Sequence, residues 1–354
     1  MRRTQDLPDK ESATMFFQDC KLAHQAQITG ISHSVKEILP PDLLDLTQLQ
    51  KEANIRYGFT ASEVYDIAQS LYEKKLISYP RTSSRYLTED VLDSLSPIMA
   101  RLLSWELFPA AKGTGGIDIS SLSRHVINAE KANVHHAIII TGIRPGNMSE
   151  KEMQVYRLVA GRMLETFMAP CRIETTNVEA VCAAQHFKAE QTRIIEAGWH
   201  DVFMRSDMVP KSGYSVNELP EVEKSDTLNV CGCNMVHKKQ LPVNPFTDAE
   251  LVEYMEQNGL GTVSSRTNII RTLVNRKYIR YSGKYIVPTP KGMFTYETIR
   301  GKKIADTSLT ADWEKQLAGL ESGMITGQDF LNRIRTLAKE MTDDIFNTYS
   351  TKEE

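Results

Sequence analysis

Residues 69–87 read Gln69-Ser-Leu-Tyr-Glu-Lys-Lys-Leu-Ile-Ser-Tyr79-Pro-Arg-Thr-Ser-Ser-Arg-Tyr-Leu87, and the rest of the chain is best read outward from them. Just upstream, Thr60-Ala61-Ser62-Glu63 has capping-box spacing, with Phe59 and Val64 at the two hydrophobic-staple positions. Val64, Ile67, Ala68 and Leu71 recur at helical intervals, which predicts an amphipathic helix over 61–75. Pro80 then disfavours helical geometry at Tyr79 and holds that residue extended, so the helix delivers an extended, basic, hydroxyl-rich segment from Tyr79 to Tyr86. Lys74, Lys75, Arg81 and Arg85 surround its two tyrosines. A phenol with a pKa near ~10 is a poor nucleophile at neutral pH unless cations lower that value or stabilise charge building on its target. Arg81, two residues on in an extended segment, projects to the same side as Tyr79 and can hold a phosphate there with bidentate hydrogen bonds. The same residues also fit an amphipathic strand in which Tyr79 is structural, and residue chemistry alone leaves both readings open.

Upstream, residues 9–24 read as a helix and 26–38, rich in Ile and Thr, as a strand stopped by Pro40-Pro41. Downstream, Thr88 is placed to cap a helix near 89–104, Gly113 to Gly116 signals a loop, and 149–168 is helical in pattern. Residues 172–236 change character: short strand-like runs at 178–182, 187–189 and 228–233 are separated by Gly198, Pro210, Gly213 and Pro220. A second capping box, Thr247-Asp248-Ala249-Glu250 with Phe246 and Leu251 as staple, opens a helix over 246–258 that Gly259 stops. Ser264 or Ser265 caps another helix through Asn275, and 277–281 with 284–287 read as a hairpin. Helix, turn, helix, hairpin is the order of a winged-helix unit. Residues 311–346 are expected to be helical.

The chain has 354 residues and a formal net charge of −3, which excludes a globally basic nucleic-acid coat but not a local basic site. From Gln257 to Tyr296 there are seven basic residues, Arg266, Arg271, Arg276, Lys277, Arg280, Lys284 and Lys291, and no acids. Interleaved tyrosines and asparagines suit this window to a nucleic-acid backbone, although a solvated basic face or a protein-docking module has the same composition. Five cysteines, an odd and scattered set, argue against a disulfide framework and fit a reducing cytosol. Cys231-Gly-Cys233 with His237 lacks the second half of a zinc site, so metal binding is not expected there. No run approaches the ~20 apolar residues that a membrane span needs, so a cytoplasmic protein without membrane contact is expected. His135 and His136, adjacent in an extended segment, face opposite ways; one can act at a phosphate or as a proton donor while the other packs or is solvated.

At these residues the sequence resembles the type IA DNA topoisomerases, closest to the bacterial topoisomerase III branch. The 69–87 stretch resembles the family's active-site signature, and Leu46-Thr-Gln-Leu-Gln-Lys-Glu-Ala53 is also similar. His135-His-Ala-Ile-Ile resembles the segment whose first histidine approaches the scissile phosphate. Gly259-Leu-Gly-Thr-Val-Ser-Ser-Arg266 resembles the family's DNA-contacting Gly-Thr-Pro-Ala-Thr-Arg segment. Three positions depart: Ser83 stands where the family usually has an acid, Ile140 where it has proline, and Val263-Ser264-Ser265 replace Pro-Ala-Thr.

The resemblance implies a multidomain α+β fold, with mostly helical, winged-helix-like domains joined by a β-rich hinge or arch. It divides the chain into 1–38 and 166–240 as arch, 39–165 as the tyrosine-bearing domain and 241–354 as a helical DNA-binding domain. It implies that Tyr79 attacks single-stranded DNA to form a 5′-phosphotyrosyl bond without ATP, with Arg81 stabilising the phosphorane-like charge and His135 assisting. Lys75, Thr82, Ser84, Arg85, Thr262, Ser265, Arg266 and Arg271 are implied to hold the strand. Family members carry Mg²⁺ on the acids of a Toprim domain. No such acidic cluster is read here, so the metal site is expected outside this chain and a separate Toprim-containing polypeptide is a candidate partner. The alternative is a non-catalytic DNA-binding remnant of such an enzyme, and a weaker one is a winged-helix regulator whose Tyr79 is structural.

Overall fold

The computed structural model describes residues 1–4, 7, 9–105, 107–108, 126–128, 130–132, 135–203, 219–236 and 244–350. The expected loop at Gly113 to Gly116, the positions Pro210 and Gly213, and His237 lie outside the described residues. In chain order the elements are β1 Arg2–Arg3, α1 Lys10–Leu22, β2 Gln25–Ile38, α2 Leu46–Tyr57, α3 Ala61–Glu73, α4 Glu89–Ser104 and α5 Glu150–Thr166. There follow β3 Cys171–Cys182, β4 Gln185–Glu196, β5 Thr227–Asn229, α6 Asp248–Gln257, α7 Arg266–Asn275, β6 Ile279–Ser282 and β7 Tyr285–Pro288. The chain closes with α8 Pro290–Ile299, α9 Thr307–Glu321 and α10 Gly327–Ser350. Among the described residues no helix is long and apolar enough to cross a membrane.

Contacts gather the chain into two compact units. The first comprises 1–41, 106–123 and 163–242. Its described part centres on an antiparallel sheet of strand order β1-β4-β3-β2-β5. The runs expected at 178–182 and 187–189 are parts of twelve-residue strands, Cys171–Cys182 and Gln185–Glu196, joined by Ala183-Ala184, and of the run expected at 228–233 only the first two residues are in a strand, β5. Both alanines have positive φ, 49° and 59°, where hairpin turns usually place Asn or Gly. That is why the hairpin escaped the sequence reading: its turn residues carry no turn signal. A small core of Ile28, Val178 and Ala180 fixes the register, and Trp199 Nε1 donates to the Ile38 carbonyl at 2.9 Å. Cys20, Cys171 and Cys182 are buried free thiols, as small hydrophobes.

The second unit comprises 42–105, 124–162 and 243–354 and holds every residue of the tyrosine segment. Both capping boxes form: Thr60 and Glu63 exchange side-chain and backbone bonds at the start of α3, and Thr247 and Glu250 do so at α6. Thr88 and Ser265 sit at their N-cap positions without a side-chain capping bond. Ala61, Val252, Met255, Ile270 and Ile286 form one core cluster, so α3, α6, α7 and the β6–β7 hairpin share an apolar centre. Helix, turn, helix and hairpin thus follow one another over 248–288 in the expected order. The expected helical stretch at 311–346 is two helices, because Gly323 takes φ +73° between α9 and α10.

Candidate active site

The tyrosine segment is placed by backbone pairing on both sides. Ile77 bridges to Ile140 and Leu44 to Ile138, while Ser78 N–H donates to the Ile139 carbonyl at 2.8 Å. Ser78 Oγ donates to the Ala137 carbonyl at 3.0 Å and accepts from Ile139 N–H at 3.0 Å. Thr82 Oγ1 donates to the His135 carbonyl at 2.9 Å, and Ser84 Oγ to the Lys131 carbonyl at 2.9 Å. These bonds lay the 78–86 stretch against 131–139 and bring His135 to Tyr79, with ring centroids 4.4 Å apart. Tyr72, on α3, meets the other side of the Tyr79 ring edge-on at 5.4 Å and 78°. Tyr79 is half-buried, His135 is exposed, and the Tyr79 hydroxyl bonds to no described residue.

Four arginines stand in or near this region and differ in what balances their charge. Arg85 Nε donates to Asp45 Oδ2 at 2.6 Å. Burial works against the Arg85 charge, yet the Asp45 carboxylate, with Glu256 and Asp42 beyond, outweighs it and raises the guanidinium pKa. Arg266, buried, donates to Glu256 Oε1 at 3.2 Å, and Thr47 Oγ1 donates to the same oxygen at 3.3 Å. Arg271 pairs with Asp66 at 2.8 Å and bonds Ser62 Oγ. Arg81 has no carboxylate partner among the described residues. Its guanidinium lies over the Tyr65 ring, 5.0 Å from the centroid, and its Nη2 donates to Gln69 Oε1 at 3.3 Å.

The remaining expected DNA contacts fall in two groups. Lys75 and Thr262 are exposed and Ser265 half-buried, whereas Thr82 and Ser84 are buried with their hydroxyls committed to the internal bonds above. Thr262 and Ser265 are knitted together: Thr262 N–H donates to Ser265 Oγ at 2.7 Å. Gly261 precedes them at φ +70°, and a β-carbon there would lie 2.8 Å from Ser265 Oγ and 2.9 Å from Ile269 Cδ1, so any larger residue at this position would be strained and would shift those side chains. Of the basic window, Arg276, Lys277, Arg280, Lys284 and Lys291 make no ion pair among the described residues; Lys284 and Lys291 lie over the rings of Tyr285 and Tyr278. Sequence reasoning missed Tyr65, Gln69 and Tyr72 as neighbours of the site. Their spacing, i, i+4 and i+7 on a helix that ends six residues before the tyrosine, was the available signal.

Mg²⁺ does not fit the residues present: among the described residues no three Asp, Glu, His or Cys side chains gather to hold a metal. The acids that adjoin the segment are already engaged, Asp45 by Arg85 and Glu152 by Lys74 and Ser70.

The structure of full-length Topoisomerase I from Thermotoga maritima superposes with a TM-score of 0.72, covering 95% of this chain and 56% of that one at 22% identity. The fold is therefore topoisomerase-like, with mixed helix and sheet. Residues 2–332 match the family described as DNA topoisomerase, and the chain belongs to that family, on its type IA, topoisomerase III-like side. DNA topoisomerase 3 of Bacillus licheniformis is 31% identical over 344 residues, 90% of this chain and 47% of that protein. The Bacillus subtilis counterpart is 30% identical over 355 residues, 92% and 48% respectively. The chain thus spans about half the length of the curated relatives it matches.

Proposed function

We propose that the chain carries the tyrosine half of a type IA topoisomerase site, cleaving and rejoining single-stranded DNA through Tyr79. The Tyr79 oxygen attacks the phosphorus, an O–P bond forms to the 5′ side, and the P–O3′ bond breaks. The proton lost by the phenol is gained overall by the departing 3′-hydroxyl. Reversal restores the strand, and because the phosphotyrosyl bond conserves the phosphodiester energy, no ATP is needed. Arg81 balances charge on the five-coordinate phosphorus and His135 assists at the phosphate. Lys75, Arg85, Thr262, Ser265, Arg266 and Arg271 hold the strand, while Thr82 and Ser84 shape the segment from within.

The observation that carries this reading is the Tyr79 ring set against His135 with, two residues along the same segment, an arginine whose charge no described carboxylate cancels. The division into an arch (1–38 and 166–240), a tyrosine-bearing domain (39–165) and a helical DNA-binding domain (241–354) with a winged-helix unit over 248–288 is part of the same proposal. The first compact unit supports the arch and the element order of 248–288 supports the winged-helix unit, while the second compact unit holds the other two proposed domains together. In the same proposal Mg²⁺ is held by the acids of a Toprim-containing polypeptide, as the family resemblance implies, while this chain's residues bind and orient the strand.

The test is incubation with end-labelled single-stranded oligonucleotide and Mg²⁺, with and without a separately expressed Toprim domain. A denaturation-resistant adduct that disappears in Tyr79→Phe supports the proposal. DNA binding with no adduct, even with the added domain, leaves the non-catalytic alternative standing.

A further inference from the structure

One face of α3 underlies both reacting side chains. Tyr65, Gln69 and Tyr72 follow one another at i, i+4 and i+7, so they form a stripe along two turns. Arg81 rests on the first two and Tyr79 on the third. The helix is itself fixed at its start. Asp248 Oδ2 accepts from Ala61 N–H at 3.1 Å, Gln50 Nε2 donates to the Ala61 carbonyl at 2.9 Å, and Arg271 holds Ser62 and Asp66.

What the stripe offers Arg81 is chemically particular. An aromatic face attracts a guanidinium through its quadrupole, and a carboxamide oxygen through its dipole, but neither carries net charge. Arg85, Arg266 and Arg271 each have a carboxylate partner within the chain. The Arg81 Nε–H is also buried with no acceptor among the described residues, as is that of Arg266, so what sets Arg81 apart is the neutral character of its partners.

We propose that Tyr65 and Gln69 are positioning residues that fix Arg81 beside Tyr79 while leaving its positive charge uncompensated for a phosphate. A glutamate at 69 would hold Arg81 more tightly and cancel that charge. The inference rests on the reading of Tyr79 and Arg81 as the reacting pair, so its test avoids catalysis. In a Tyr79→Phe chain, binding of a fluorescent single-stranded oligonucleotide is followed by anisotropy as salt is varied. Arg81→Ala should flatten the slope of log K against log salt by about 0.7, the share of one phosphate on a single strand. Gln69→Glu, with Arg81 still present, should flatten it equally, whereas Gln69→Met and Tyr65→Phe should keep the parent slope.

A second readout needs no DNA. The Arg81 Nε–H resonance, assigned by its loss in Arg81→Lys, should be shifted by the Tyr65 ring current. The shift should persist in Tyr65→Phe and vanish in Tyr65→Leu. An unmoved resonance in Tyr65→Leu overturns the inference. So does a parent-like salt slope in Gln69→Glu when Arg81→Ala lowers it. Binding that ignores Arg81 altogether counts against the catalytic reading instead, and the resonance then decides the positioning role.

Discussion

The turn that ends α3 and the turn that ends α7 are built on the same local plan and put to different uses. In Leu71-Tyr-Glu-Lys-Lys-Leu-Ile-Ser-Tyr79 and Leu273-Val-Asn-Arg-Lys-Tyr-Ile-Arg-Tyr281 a lysine ends the helix in the left-handed region, at φ 60° for Lys75 and 61° for Lys277. The residue after it bonds back to the leucine carbonyl at 2.9 Å in both cases, Leu76 to Leu71 and Tyr278 to Leu273. This is the Schellman closure, with lysine where glycine is usual. Each turn then delivers a tyrosine four residues beyond its lysine. Tyr79, followed by proline, lies against His135 and keeps its hydroxyl free of described partners. Tyr281, in the strand that ends at the Gly283-Lys284 turn, donates its hydroxyl to Asp248 Oδ2 at 2.8 Å. Burial, with the Asp248 carboxylate adding to it, pushes the Tyr281 pKa up. Local sequence makes the turn; the neighbours decide whether the phenol is a candidate nucleophile or a strut.

The largest expected effect separates the two tyrosines outright. Tyr79→Phe should abolish the covalent DNA adduct on a denaturing gel with thermal stability unchanged, whereas Tyr281→Phe should retain the adduct. An adduct that survives in Tyr79→Phe and is lost in Tyr281→Phe would reverse the comparison.

Next comes the strut itself. Asp248→Ala removes the acceptor of both the Tyr281 hydroxyl and the Ala61 N–H. Urea denaturation should show a loss of about 2 kcal/mol, with about 1 kcal/mol for Tyr281→Phe.

The carboxylates beside the two turns should respond to pH with opposite signs. Glu152 is held down to about 2 by its bonds from Lys74, then Ser70 and Ser149 N–H, at the α3 end. Its contribution is present above the ordinary glutamate value and lost as pH falls through the lowered one, so the cost of Glu152→Gln should shrink on acidification. Burial raises the Asp248 pKa, the bonds from Tyr281 and Ala61 opposing it only in part. Its contribution is present below the ordinary aspartate value and lost as pH rises through the raised one, so Asp248→Asn should become relatively more stable as pH rises. Melting curves of both variants from pH 3 to 8 would show the same slope if the assignment is wrong.

The smallest effect concerns the lysines. Lys75→Gly and Lys277→Gly relieve a left-handed backbone at the expense of a more flexible unfolded chain, so each should stabilise by at most about 1 kcal/mol. A clear loss of stability in either would mean that its lysine side chain, and not the turn, holds the helix end.

Much of this was legible in the sequence. Both capping boxes, the extended backbone that Pro80 imposes at Tyr79, the helix–helix–hairpin order of 248–288 and the three motifs that carry the family resemblance are local signals, each written in adjacent residues. The β3–β4 hairpin was not legible at its true length, because Ala183-Ala184 adopts a turn conformation that its residue types do not announce. The break between α9 and α10 was passed over because apolar spacing continues on either side of Gly323.

By itself the sequence determined where helices start and stop, that a tyrosine emerges extended and flanked by cations, and which family the chain belongs to. Those facts depend on caps, proline and short spacings, which act over a few residues. It placed Arg81, Arg85, Arg266 and Arg271 in the same category, four cations suited to phosphate. Only the tertiary structure divided them, because neutralisation depends on which acid lies within a few ångströms. Asp45, Glu256 and Asp66 come from other helices or loops to meet three of them, and an aromatic ring and a carboxamide meet the fourth.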